Sequence, residues 1–233
     1  QYVDFLIERI DEGLRKAAVA LAPARIAIGS AVEGRISFIR RCVMKDGSVK
    51  THPRPSPLIR CAESVIDPEV GVVSITNDRN DVIGVIVNFA CHPTHGGGEN
   101  VLSAGWPGVL SQSLRASLGP ACVTCFLNGA LGDVHHQSTL ICDYVDTKER
   151  VGQTLAETVL KTLATLTPQT DLTLSSTVTT IQIPYRDMAG PFGIDMKNRQ
   201  RFAAEVLEQL DAFLKIIDKS IDERDERLRQ RIL

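Results

Sequence analysis

From Val82 to Ala90 the chain reads Val-Ile-Gly-Val-Ile-Val-Asn-Phe-Ala, an almost unbroken apolar run rich in β-branched residues. A strand with one wet face would alternate apolar and polar side chains; this one does not, so it is expected at the centre of a sheet. Val70 to Thr76 is a second such run, and Asn77-Asp78-Arg79-Asn80-Asp81 between the two predicts a hairpin. A central strand needs further strands beside it and helices over it, and the flanking sequence supplies both.

Apolar residues recur at helical spacing in Tyr2–Leu21 (Phe5, Leu6, Ile10, Leu14), with Pro23 closing the helix. A second helix is expected from Pro107 to Leu118 before Gly119-Pro120, and a third over Asp146–Leu166 with Val151, Leu155, Val159 and Leu163 on one face. Ala24 to Gly29 and Cys122 to Leu127 read as buried strands. Arg35–Val43 pairs with Ser48–Thr51 across the turn Lys45-Asp46-Gly47. Leu172 to Ile183 alternates apolar residues with Ser and Thr, the pattern of a half-exposed strand. Ile194 to Leu233 carries the stripe Phe202, Val206, Leu210, Phe213, Ile217, Ile221 and predicts a long charged helix that needs a partner. The fold class that follows is α/β: a mixed β-sheet with hairpins covered by helices, and a long C-terminal helix. Residues 1-193 are expected to form one domain, and 194-233 a helix leading towards a part of the protein beyond Leu233.

Charge excludes some functions. The 26 Lys and Arg are balanced by 28 Asp and Glu, so no strong field gathers nucleic acid or an anionic membrane. No apolar run reaches the length of a transmembrane helix. The six cysteines are not needed as a disulfide framework in a chain able to build a core. Cys122 and Cys125 fall on an expected strand and face opposite ways, so they share no ligand. Reduced thiols favour a cytoplasmic setting, with a secreted or periplasmic one left open.

All five histidines, His52, His92, His95, His135 and His136, fall in loops or at strand ends. The His92/His95 and His135/His136 loops directly follow the two most apolar strands, where loops converge over a rigid base. Neutral imidazole is the commonest metal-binding side chain, and Asp133 is placed to ligate or orient a histidine. Gly96-Gly97-Gly98 lets backbone approach a ligand. His135 and His136 are adjacent, so extended backbone sends them opposite ways and one of them is expected in the site. His52 reads as an ordinary loop residue. Of Arg40-Arg41, one is expected in an ion pair and the other towards solvent; either also suits bidentate contact with a carboxylate or phosphate. No P-loop, GxGxxG or GxSxG pattern is present.

Three stretches carry a family resemblance. Gly34-Arg35-Ile36-Ser37-Phe38-Ile39-Arg40-Arg41 is similar to a G-x-S-x-N-R segment. Asn88-Phe89-Ala90-Cys91-His92-Pro93-Thr94, followed by Ser103-Ala104-Gly105-Trp106-Pro107-Gly108, is similar to an F-A-x-H-x-T and an S-x-D-x-x-G segment. Leu127-Asn128-Gly129-Ala130-Leu131-Gly132-Asp133-Val134 is similar to an N-x-G-D-V-S-P loop. In this order, from about Arg25 to Thr165, the chain resembles the neutral, non-lysosomal ceramidases, and their divergent bacterial relatives most.

The resemblance implies a zinc amidohydrolase cleaving the amide of an N-acyl lipid. The family's zinc is held by two histidines, a glutamate and a tyrosine. The second histidine falls on His92, while the segments bearing the other three are not found here. Zinc is therefore expected in a full-length protein and poorly held, or absent, in this fragment. Arg40 fits the arginine that contacts the reacting group. The family's serine position is His135, His136 replaces the proline, and Ile39 replaces an asparagine. Imidazole is a base or ligand rather than a hydroxyl nucleophile, so ceramide cleavage itself is not expected to survive. The expected function is a zinc-dependent hydrolase of an amide or related bond in a small-molecule or lipid-like substrate. His92 is the metal ligand, and Arg40, His135 and Asp133 are the catalytic group. The C-terminal helix offers a route to oligomers. The alternative is a non-catalytic ceramidase-like binding or structural domain, in which the histidines would be scattered.

Overall fold

The computed structural model describes residues 2–96, 100–169, 171–173 and 175–183. They fall into two units divided after residue 174; in the second, residues 175–183 form no helix or strand. The first unit holds α1 (Tyr2–Val19), β1 (Arg25–Val32), β2 (Phe38–Ile39), β3 (Arg41–Met44), β4 (Val49–Thr51), β5 (Ile59–Ala62), β6 (Glu69–Thr76), β7 (Val82–Phe89), α2 (Gly105–Leu118), β8 (Val123–Asn128), β9 (Val134–His135) and α3 (Lys148–Leu163).

The main sheet runs β1-β6-β7-β8. The apolar run of β7 is interior, as its composition requires. β1, β6 and β7 pair antiparallel, whereas β7 and β8 are parallel with α2 as the crossover, giving the mixed sheet. The β6–β7 turn is set locally: Asn77 Oδ1 accepts from the backbone N–H of Arg79 and Asp81, and Asn80 takes φ 66.

One face of this sheet makes the core. Val70, Val72, Val85, Val87 and Phe89 pack with Trp106, Leu110 and Leu114 of α2 and with Val151, Leu155 and Val159 of α3. Burying each such side chain stabilises the fold by about 1.5–3 kcal/mol. The two helices touch at Gly152, where an added Cβ would lie 2.6 Å from Val109 Cβ and 2.7 Å from Trp106 O. α1 buries none of its residues.

Four expectations change. The strands expected to be buried at Ala24–Gly29 and Cys122–Leu127 are the two edges of the main sheet, and β8 has no fully buried residue. Arg35–Val43 is not one strand: Phe38-Ile39 pairs with β9, and the chain then enters a second sheet ordered β4-β3-β5. β5 was not foreseen, because Ile59-Arg60-Cys61-Ala62 is short and follows a proline-rich stretch. Leu172–Ile183 contains no strand among its described residues. Alternation makes a strand only where a sheet edge is offered, and the β1 edge is met at a single bridge, Ile26 to Gln169. The expected C-terminal helix and the boundary at residues 193/194 lie outside the described residues. No described helix is long and apolar enough to cross a membrane.

Candidate metal centre

The parallel pairing of β7 with β8 decides where the histidines go. Phe89 lies opposite Asn128, so the loops leaving both strands start at one edge of the sheet. They pass closely at the crossing: Gly129 N–H donates to Phe89 O at 3.0 Å, and a Cβ on Gly129 would lie 3.1 Å from Ala90 N, so a larger residue would push the two loops apart by a few tenths of an ångström. Ser37 Oγ donates to Ala90 O (2.8 Å), and Trp106 Nε1 donates to His92 O (3.1 Å), which pins the His92 loop from two sides. The β2–β9 pair, Phe38 opposite His135, brings Arg40, the residue after β2, to the same loops: its backbone N–H donates to Asp133 O (2.8 Å).

The result is one continuous array of all five imidazoles. Ring centroids lie 4.6 Å apart for His52 and His135, 6.0 Å for His92 and His135, 4.0 Å for His135 and His136, and 3.6 Å for His95 and His136. His135 and His136 both reach Thr94 Oγ1, at 2.9 and 3.0 Å. The expectation that one of this pair would turn away fails for a local reason. β9 is only two residues long, and the chain bends at once so that Gln137 N–H donates to His135 Nδ1 (3.0 Å). Strand alternation has no length over which to act. His52, read as an ordinary loop residue, joins the array with φ 53, and its backbone N–H donates to Arg40 O.

Asp146 closes the array. Its Oδ1 lies 2.9 Å from His95 Nε2 and 2.8 Å from His136 Nδ1. It immediately precedes α3, whose N-cap Thr147 accepts from Arg150 N–H, so the carboxylate sits on a fixed helix start. Burial pushes its pKa up, but the hydrogen bond and charge of His136, with help from His95, more than offset this and hold it below the usual value. The ligand atoms of His95, His136 and Asp146 all lie within 4.8 Å of one another.

Electrostatics keep the neighbouring rings neutral. Burial, followed by His136 and His52, pushes the His135 pKa down to about 3. His52 is lowered by burial and then by Arg40, and His95 by burial and then by His136. Two ring nitrogens are left over: His92 Nδ1 and His95 Nδ1 are shielded from solvent and meet no protein partner among the described residues. Burial raises the Cys91 thiol to about 12, so this neighbour stays protonated.

The remaining expected groups separate. Arg41 pairs with Glu63, while Arg40 donates from Nη2 to Gly132 O (2.6 Å) and leaves Nε buried without an acceptor. Asp133 was expected to supply the carboxylate beside the histidines; its Oδ2 instead accepts from Ser64 Oγ (2.9 Å), and Asp146 takes that place. Cys122 is buried just before β8 and Cys125 is exposed on it, so the two do not share the one strand expected from the sequence; both are free thiols. Gly97 and Gly98 lie outside the described residues. The sequence held one signal for Asp146, an acidic residue directly before a Thr N-cap, but nothing local ties it to histidines 10 and 51 residues away.

No protein-family model matches the chain, and no curated protein matches it. Among solved structures, the chain is similar to a structure described as ceramidase complexed with C2. The identity is 19% and the TM-score 0.46, over 60% of this chain and 22% of that one. It is also similar to the neutral ceramidase from Pseudomonas aeruginosa, at 18% identity and TM-score 0.48, over 64% of this chain and 24% of that one. The chain thus spans less than a quarter of the length of either.

Proposed function

We propose that this chain carries the metal centre of a zinc-dependent hydrolase acting on an amide or related bond of a small-molecule or lipid-like substrate. The observation that carries this is the convergence of His95 Nε2 and His136 Nδ1 on one oxygen of Asp146. Two imidazoles and a carboxylate are a donor set that zinc takes in hydrolases. The fit is supported by the buried Nδ1 of His95: with the ring proton on Nε2 against Asp146, Nδ1 carries a lone pair that no described protein group occupies. When bound, zinc supplies Lewis acidity at neutral pH.

The chain's own residues do the rest. Arg40 has a buried Nε–H with no acceptor among the described residues and would hold a carbonyl or anionic oxygen of the substrate. His135 occupies the position of the family serine; kept neutral, it serves as hydrogen-bond donor or proton acceptor and not as a hydroxyl nucleophile. Asp133, held by Ser64, anchors the loop that carries His135.

Metal analysis of the purified protein tests this reading. One equivalent of zinc is expected after dialysis, lost in His95→Ala. Ferrous iron takes the same donors, and its presence instead of zinc would replace hydrolysis by oxygen chemistry. A second reading seats the metal at His92, as the family resemblance implies, and the unpartnered His92 Nδ1 favours it. It predicts that His92→Ala, and not His95→Ala, empties the site. Wild-type protein that takes up no divalent metal would leave the non-catalytic alternative standing.

A further inference from the structure

Thr94 stands between the two adjacent histidines, and its hydrogen bonds have a direction. A hydroxyl has one proton, so between two neutral rings it donates to one and accepts from the other. The ends of the network decide which. Gln137 N–H points at His135 Nδ1 (3.0 Å), so neutral His135 carries its proton on Nε2 and donates to Thr94 Oγ1 (2.9 Å). At the far end Asp146 Oδ1 accepts from His136 Nδ1 (2.8 Å), so a His136 ring with a single proton offers Nε2 as acceptor to the Thr94 hydroxyl (3.0 Å). Donation therefore runs Gln137, His135, Thr94, His136, Asp146 with no two protons opposed.

We propose that Thr94 is the positioning residue that lets His136 exchange its hydrogen bond to Asp146 for a bond to a divalent metal ion. This rests on the reading that His95, His136 and Asp146 hold a metal. A metal at Nδ1 takes that nitrogen's lone pair, so the ring proton has to be carried on Nε2, where it needs an acceptor. His136 is 4% exposed, so solvent does not supply one. Thr94 Oγ1 does. Thr94 is itself exposed, so its hydroxyl turns its own proton outward and accepts from both rings with its two lone pairs. One proton leaves Nδ1 and one arrives at Nε2 by exchange with water; the number of bound protons is unchanged. His135 keeps its tautomer, because Gln137 N–H still occupies its Nδ1. The whole adjustment is one tautomer change at His136 and one hydroxyl rotation at Thr94.

Serine preserves this device, and valine keeps the shape of threonine while leaving a buried N–H facing a methyl group. The test combines zinc affinity, measured by competition with a chelator, and ring 15N–1H spectra for wild type, Thr94→Val and Thr94→Ser. Metal-free wild type is expected to show His136 as the Nδ1–H tautomer and His135 as the Nε2–H tautomer, with zinc moving only the His136 proton to Nε2. Thr94→Val is expected to bind zinc about 10–100-fold more weakly, the usual loss when a ligand's outer partner is removed. Thr94→Ser is expected to restore it to within a few-fold. Equal affinity of the valine variant and wild type, or a His136 proton that stays on Nδ1 in the zinc form, would overturn the role of Thr94 alone. Wild type that binds no zinc would overturn the metal reading, and this inference with it.

Discussion

His95 and His136 lie face to face, their planes 24° apart, and both are held on the same carboxylate oxygen of Asp146. Two stacked rings sharing one acceptor are arranged around a point, whereas a surface histidine pair would be free to separate. Asp146→Asn tests what that point is for. The amide keeps the size of the carboxylate but removes the charge and turns an NH2 towards one of the rings. Zinc affinity is expected to fall by at least about 100-fold, more than for loss of an outer partner. Unchanged zinc content would remove Asp146 from the centre.

Stability is expected to depend on pH through the histidines. His135 has its pKa lowered from 6.5 to about 3, and His52 and His95 shift in the same direction. As pH falls below about 6.5 the unfolded chain takes up protons that the folded chain refuses, so unfolding becomes easier. The stabilisation from the neutral rings is thus complete above that pH and is lost progressively below it, for His135 down to about pH 3. Each such proton contributes a slope of about 1.4 kcal/mol per pH unit. Asp146, also lowered, acts in the same sense further down, its contribution vanishing as pH drops through its folded value. Urea midpoints from roughly pH 4.5 to 7.5 measure this. The His135→Gln curve should be flatter than wild type; parallel curves would mean that His135 titrates normally.

Trp106 links the core to the site. Its ring is fully buried against Phe126, while Nε1 donates to the His92 carbonyl. Trp106→Phe keeps an aromatic ring and leaves that carbonyl short of a donor, at a cost of about 1–3 kcal/mol. A thermal melt reads the loss. A melt identical to wild type would show that the hydrogen bond contributes nothing net.

The sequence made the sheet legible because period and composition are local properties. β6, β7, α2 and α3 follow from runs of Val, Ile and Leu that have one good burial solution. The convergence of the His92 and His135 loops was also legible, since it follows from placing both strands side by side in one sheet. The partners were not. Choosing Asp146 over Asp133 depends on where the start of α3 lands, which α2–α3 packing decides. His52 joins the rings only because the chain breaks at Arg40 and passes from one sheet to another. A two-residue strand such as β9 escapes every pattern rule, and with it went the direction of His135 and His136.

Two glycines separate the integrity of the site from that of the fold. At Gly152 an added methyl would strike helix α2, 2.7 Å from Trp106 O and 2.9 Å from Leu110 N, and backbone in a packed helix pair cannot yield locally. Gly152→Ala is expected to cost about 1–3 kcal/mol by overpacking, with zinc stoichiometry intact in the molecules that remain folded. At Gly129 the contact is looser, 3.1 Å to Ala90 N and 3.2 Å to its Cα, but Ala90 is held by Ser37 and so the strain passes into the loops. Those loops carry His92 and His95 on one side and His135 and His136 on the other. Gly129→Ala is therefore expected to lower thermal stability less than Gly152→Ala and zinc affinity more. Melting curves in chelator and zinc competition on the same samples measure both. If the two variants lose affinity only in proportion to stability, the crossing at Gly129 is a packing contact and does not set the spacing of the histidines.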